Sequence, residues 1–406
     1  MTNDQRPLTV LCLASYEKGH EFMRECKRQG CRVLLLTSLS LRDEAAWPRE
    51  AIDEIYYLPD VRKEWDAGEM ISSVSYLARE ETIDRIVPLD DFDLEKAAAL
   101  REHLRVPGLG ETTTRYFRDK LAMRQQAQEA GIPVPDFVHA LNRARLREYA
   151  GRVPPPWLIK PRLEASATGI KKIETADELW PALEALGDRQ SFHLVEQFVP
   201  GDIYHVDSII SEREIVFVCA SRYGTPPLDV AHGGGVFTTR TLAPGSADER
   251  ALAAANARVL EAMGMRRGVS HTEFIKSRAD GRFYFLETAA RVGGAHIAEL
   301  VEAATGVNLW REWASIEIGR GERPYEAPAS DGAHAGLIVS LAREECPDTS
   351  RYNDPEIVWR LNKPSHAGLI VRAGDPARVE QLLDSYARRF AEDFLATLPA
   401  TDKAVS

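Results

Sequence analysis

The chain has 406 residues, 44% hydrophobic, 28% charged and 8% aromatic, an ordinary globular composition that predicts roughly two to four domains. The net charge of -11 is spread along the chain with no basic stripe, which argues against a nucleic-acid surface and requires any anionic ligand to be held locally. No window approaches the ~18 apolar residues of a membrane span, and MTNDQRPLTVLCLAS lacks a basic stretch followed by a long apolar run, so a soluble, unprocessed chain is expected.

Cys12, Cys26, Cys31, Cys219 and Cys346 are odd in number and form no CxxC pair, which argues against a disulfide framework or zinc site and for a reducing cytoplasm. Cys12 in VLCLA and Cys219 in IVFVCA read as small hydrophobes, with catalytic use left open.

In chain order, LTVLCLAS, a helix through EFMRECKRQG, and RVLLLTS give strand, helix, strand, the unit of a parallel sheet covered by helices. DRIVPLDD and the helix LEKAAALREHL complete a first domain ending at about Pro107. The loop after its first strand, SYEKGHE, has one glycine and no GxGxxG, which argues against a dinucleotide site. A helix RYFRDKLAMRQQAQEAG ending at Gly131 is expected next. PWLIKPR, the loop LEASATG, GIKKIE, a helix from about Asp177 to Leu186 and FHLVEQFV form a small mixed lobe. Beyond Ile203 come YHVDSII, EIVFVCASR, VFTTRTL, the helix SADERALAAANARVLEAMG, and the pair VSHTEFIK and RFYFLET. AGLIVSL, HAGLIVRAG and an amphipathic helix ARVEQLLDSYARRF close the chain.

Asp280-Gly281 marks a hairpin turn. A three-residue loop, Ala279 to Gly281, sets Arg278 opposite Arg282 and Glu273 opposite Glu287. Two such carboxylates among apolar residues repel each other unless a cation neutralises them; on an exposed hairpin they are merely solvated. Magnesium, which takes oxygen ligands and is held by one or two carboxylates with substrate phosphates, suits the pair. Arg291 and the backbone amides of Gly293-Gly294 follow closely, a plausible phosphate or carboxylate site. Lys160, inside the apolar strand LIKP, needs an anionic partner. The small-residue loop with Ser166, Thr168 and Gly169 lets amides approach a polyphosphate, or is a plain turn. Glu196 to Val199 offers an acceptor, apolar walls and strand-edge groups for an adenine, or is an ordinary edge strand.

In this order, Lys120, LIKP, the small-residue loop, VEQFVPG, HTEF, FLETAAR and GG resemble the ATP-grasp superfamily over roughly residues 1 to 320. Within it the chain is most similar to carboxylate-amine ligases of the L-amino-acid ligase type, with biotin-carboxylase-like architecture. The resemblance implies an α/β and α+β multidomain fold. Its parts are an N-terminal doubly wound parallel sheet (1–107), a two-lobed ATP-grasp domain (108–195 and 196–332, the latter with the metal site) and a small C-terminal α/β closing subdomain (333–406).

It also implies ligation of a small-molecule carboxylate, an amino acid above all, to an amine through an acyl phosphate, with ADP and phosphate released. Alternatives are a carboxylase, a phosphotransferase or a non-catalytic nucleotide-binding protein. Lys120 and Lys160 would hold the ATP phosphates, the loop Ser166 to Gly169 would cover them, and Glu196, Gln197, Phe198 and Val199 would hold the adenine. Glu273 and Glu287 would bind Mg2+, with Mn2+ as a substitute, and Arg291, Gly293 and Gly294 would hold the acid. His232 and His296 are candidate bases for the amine, against ordinary structural roles. Two departures stand out: Ala289 replaces the family's asparagine, and Ile203 occupies the ribose-binding acid's place beside Asp202. The expected setting is cytoplasmic, without nucleic-acid or membrane partners, with a homodimer left open.

Overall fold

The computed structural model describes residues 6–165, 167–226, 228, 235–319, 325–330 and 332–396. Three largely apolar runs buried on both faces and a half-buried edge strand form a parallel sheet in the order β3 (Glu54–Leu58), the edge strand, then β2 (Arg32–Ser38), β1 (Thr9–Ala14), β4 (Arg85–Pro88). Alternate residues of β1 point to opposite faces: Val10 and Cys12 join one buried cluster with Phe22 and Met23, and Leu11 and Leu13 join another with Met70, Ala97 and Leu100. Helices therefore cover both faces, as expected of a doubly wound sheet. The chain crosses from one edge to the other between β3 and β4, which leaves a crevice at the carboxyl ends of β1 and β4.

A second sheet, antiparallel, has the order β5 (Phe137–His139), β8 (His193–Gln197), β6 (Trp157–Pro161), β7 (Lys171–Ile173). Since β8 ends at Gln197, the boundary expected at 195/196 cuts a strand, and the division moves beyond it.

The third sheet has eight antiparallel strands. Its order is β13 (Phe283–Ala289), β12 (Gly268–Ser277), β9 (Gly201–Ser211), β10 (Glu214–Tyr223), β11 (Phe237–Thr241), β14 (His334–Leu341), β16 (His366–Ala373) and β15 (Ile357–Arg360). The C-terminal α/β piece is thus continuous with this sheet through β11 and β14.

The helix expected to run unbroken to Gly131 is instead broken before Lys120. Asp119 caps a new helix, Lys120–Glu129, accepting from the Leu121 and Ala122 amides at 3.0 and 3.4 Å. Arg162, just after β6, grips the same carboxylate, and the Lys120 amide donates to the Arg162 carbonyl at 3.0 Å. The ends of the helix and the strand therefore fix where Lys120 starts.

The first sheet is keyed to the third through two amphipathic helices, His20–Arg28 and Leu309–Ile318, where Phe22 meets Trp313 edge-on at 5.2 Å. Both side chains are buried. Phe22→Ala is expected to cost about 3–5 kcal/mol in urea unfolding, the usual loss for a large buried aromatic. A loss below about 1 kcal/mol would show that this contact does not join the two units.

Candidate active site

Glu273 on β12 lies directly across from Glu287 on β13, so the carboxylate pair expected from the hairpin is present. The route to that register differs from the expected one. Ser277 pairs with Arg282 across the four-residue loop Arg278 to Gly281, so Arg278 does not oppose Arg282. The pairing then shifts by one residue between Glu273 and Phe274, which bulges Leu286 and restores Glu273 to Glu287. The Arg124 guanidinium donates to the Leu286 carbonyl, tying the bulge to the helix Lys120–Glu129.

Lys120 lies 2.8 Å from Glu287 and donates to the Glu164 carbonyl at 2.6 Å. Burial pushes the Glu287 carboxyl up, but the Lys120 ammonium, with Lys160 and Arg124 behind it, outweighs burial and brings it down to about 2. Glu273 accepts from the Tyr223 hydroxyl at 2.7 Å, and His271 Nε2 is 3.6 Å away. Lys120 contacts Glu287 alone of the two carboxylates, and both carboxylates are hard oxygen donors. That donor set and its residual charge fit a divalent cation such as Mg2+ held with phosphate oxygens.

Lys160 finds its anion in Glu196. Leu158 pairs with Glu196 and Lys160 with Leu194, so Lys160 and Glu196 share a face one pair apart. Arg124 takes the other oxygen of Glu196 at 2.6 Å, and Arg124 and Glu196 are each 1% exposed. Burial raises the Glu196 carboxyl, yet the two cations hold it below the usual range; burial lowers the Lys160 ammonium. Both oxygens of Glu196, expected to accept from an adenine amine, thus serve buried cations.

The Gln197 and Phe198 amides donate within the sheet region to Asp136 and Pro156 carbonyls at 2.8 and 3.0 Å. Phe198 offers a ring with Lys172 4.4 Å over it, and Val199 is half-buried. Thr168 closes a tight turn onto Ala165, and Gly169 adopts φ +70°, where a Cβ would also meet Pro161 at 2.9 Å. Asp202 pairs with Arg222 at 2.8 Å and Arg278 at 3.4 Å.

Arg291 stands between the third sheet and the crevice of the first. Its Nε is buried, makes no hydrogen bond among the described residues, and lies 3.6 Å from Asp91, while Nη1 donates to the Val292 carbonyl at 2.8 Å. Among the described residues nothing lies within 4 Å of a Cβ placed on Gly294, whereas a Cβ on Gly293 would lie 2.9 Å from His271 Nδ1 and 3.0 Å from Asp207 Oδ1.

Ser166 and His232 lie outside the described residues. His296 precedes the helix Ile297–Thr305 with φ 64°, packs on Trp359 at 5.1 Å and lies 3.5 Å from Glu299. The histidine beside Glu273 is His271, which sequence reasoning passed over together with Arg124, Tyr223 and Asp207. Burial works against a charged His271, but Asp207, then Glu273, raise it to about 9. Cys12 and Cys219 are buried, and burial pushes the Cys219 thiol up to about 12, in line with packing roles.

No protein-family model matches the sequence. It is 26% identical over 275 residues, 66% of this chain, to an L-arginine-specific L-amino acid ligase of Bacillus subtilis, and the match spans 65% of that relative's length. The structure is similar to the L-amino acid ligase of Bacillus licheniformis, with TM-score 0.73 and 18% identity over 97% of this chain and 100% of that one. It is also similar to the biotin carboxylase domain dimer of Hydrogenobacter thermophilus 2-oxoglutarate carboxylase, solved with MgADP, ADP and bicarbonate. There the TM-score is 0.70 at 16% identity, covering 97% and 91% of the two chains. At these identities the structural likeness shows the fold.

A carboxyl lowered on folding adds stability that is full above its unfolded value of 4.5 and is lost as pH falls through about 2. Lys120→Met is therefore expected to lower stability at neutral pH and to flatten the acid limb between those values. Thermal melting across that window checks this, and acid limbs parallel to wild type would show that Lys120 does not hold Glu287.

Proposed function

The fold and relatives are those of the ATP-grasp carboxylate-amine ligase group, and we propose that this chain joins a carboxylate to an amine at the cost of ATP. The observation that carries the reading is the cross-strand pair Glu273 and Glu287, with Lys120 on one carboxylate and Lys160 and Arg291 nearby in charge. In this reading the pair holds Mg2+, or Mn2+ in its place, which supplies positive charge against the ATP phosphates.

A carboxylate resists attack by an amine because its oxygen is a poor leaving group, and phosphorylation supplies a good one. Such transfer asks the protein for positioning and charge neutralisation rather than covalent help. Lys120 and Lys160 serve the phosphates, and the turn at Thr168 and Gly169 covers them. Phe198 and Val199 flank the adenine, and Asp202 lies towards the ribose. Arg291 neutralises the acid's carboxylate and the acyl phosphate formed on it, with the Gly293 and Gly294 backbone beside it. The acid is an amino acid, the partner a second small molecule with a free amine, and the setting the cytoplasm, as a homodimer.

The likeness to a biotin carboxylase domain favours one second reading, transfer of the ATP phosphoryl group to bicarbonate instead of an organic acid, with ADP leaving. Purified protein with MgATP, offered pools of amino acids and amines in one arm and bicarbonate in another, separates the two. Release of ADP that needs both an acid and an amine is expected, and bicarbonate-dependent release without an amine would favour the carboxylase. Glu287→Gln should lower turnover by about 100-fold or more with the melting temperature of a folded protein retained. Unchanged turnover in that variant would sink the assignment.

A further inference from the structure

Behind Glu273 the large sheet carries a row of polar side chains that the proposed reaction does not use. Strand register sets His205 of β9 opposite Glu273 and Asp207 opposite His271. Asp207 lies 2.8 Å from His271 Nδ1 through one oxygen and 2.7 Å from His205 Nδ1 through the other. His205 continues through its second nitrogen to Thr239 Oγ1 at 2.8 Å. The side chains of His205 and Asp207 are 0% exposed and that of His271 10%. Taking a carboxylate and two imidazoles out of water is expensive, and apolar side chains of the same volume would pack such a core at lower cost.

The ligand atoms of the three groups all lie within 4.8 Å of one another, yet they are engaged with each other in pairs. Each Asp207 oxygen is already within hydrogen-bond distance of the imidazole nitrogen with which it would have to share an ion. They form a linear chain, and the chain ends at Glu273. With Nδ1 held by Asp207, the His271 ring is fixed and its Nε2 faces the Tyr223 hydroxyl at 3.5 Å and Glu273 Oε1 at 3.6 Å. Tyr223 donates to that same oxygen at 2.7 Å. Among the described residues no hydrogen bond reaches Glu273 Oε2.

We infer that Asp207 and His271, together with Tyr223, are positioning residues that hold Glu273 by Oε1 and leave Oε2 for a divalent cation. The inference rests on the reading of Glu273 as a metal ligand. It also accounts for Gly293: a side chain there would press on both His271 and Asp207, so the loop after Arg291 is seated on the pair that orients Glu273.

The test is Mn2+ binding to the full-length, ADP-loaded protein, followed by electron paramagnetic resonance, for wild type, Asp207→Asn, His271→Gln, Tyr223→Phe and Glu273→Gln. Asp207→Asn and His271→Gln are expected to weaken Mn2+ binding by about 10- to 100-fold, the usual loss when a group behind a metal ligand is removed. Tyr223→Phe, which keeps its ring, should weaken it several-fold, and it decides the matter where the buried variants fail to fold. Metal-free ADP affinity should be that of wild type throughout. Variants that melt lower but bind Mn2+ as wild type does, while Glu273→Gln does not bind it, would overturn the positioning role alone. Wild-type Mn2+ binding by Glu273→Gln would overturn the ligand reading and this inference with it.

Discussion

Two carboxylates on neighbouring strands of one sheet face repel each other. At a cross-strand separation of about 5 Å and an effective dielectric of about 20, the repulsion is roughly 3 kcal/mol. Glu273 and Glu287 are in that position, and Lys120 supplies one positive charge between a helix and the pair. What surrounds them answers this constraint. The Asp119 cap and its grip by Arg162 fix the first residue of the helix, and that residue is Lys120. The bulge at Leu286 puts the two glutamates face to face, and Arg124 holds the bulge by its carbonyl.

Arg124 does a second thing. Its other contact is Glu196 in the small antiparallel sheet, where Lys160 takes the remaining oxygen. The alternation Arg124, Glu196, Lys160 lets three charged groups stay buried because each anion oxygen has a cation and the cations flank the anion. One guanidinium thus joins the helix, the small sheet and the hairpin of the large sheet. The lysine facing the carboxylate pair is held in a fixed place without being removed from it.

Much of the frame could be read from the sequence because period and turn signals are local. The strand Arg32–Ser38 and the helix Leu94–Leu104 fall on the segments read from them. Glu54–Leu58 and Ile357–Arg360 were passed over, since their mixed polar and aromatic residues at sheet edges lack a clean alternation. The hairpin register came out right by compensation: a loop one residue longer than supposed was offset by a bulge, and no sequence pattern announces a bulge. Lys160 in LIKP announced a buried charge, but not that Glu196 would answer it, because that choice is made between strands 36 residues apart. A readable signal for the Asp207 chain did exist. His205 and Asp207, and likewise His271 and Glu273, alternate with the period of a strand, so each pair shares a face.

Ala289 stands where the ATP-grasp pattern that the chain resembles commonly has an asparagine, two residues beyond Glu287. In the sheet it faces His271 across β12 and β13 and is buried. Directly opposed side chains lie about 5 Å apart, so a polar amide at 289 would sit against the imidazole that points at Glu273. Its hydrogen bonds would compete with the one that Asp207 makes to the ring and with the approach of the ring to Glu273. A methyl group there makes no such demand. The alanine and the buried His271–Asp207 pair are therefore two sides of one arrangement, in which the ring beside Glu273 is set from within the sheet, with no polar side chain from position 289.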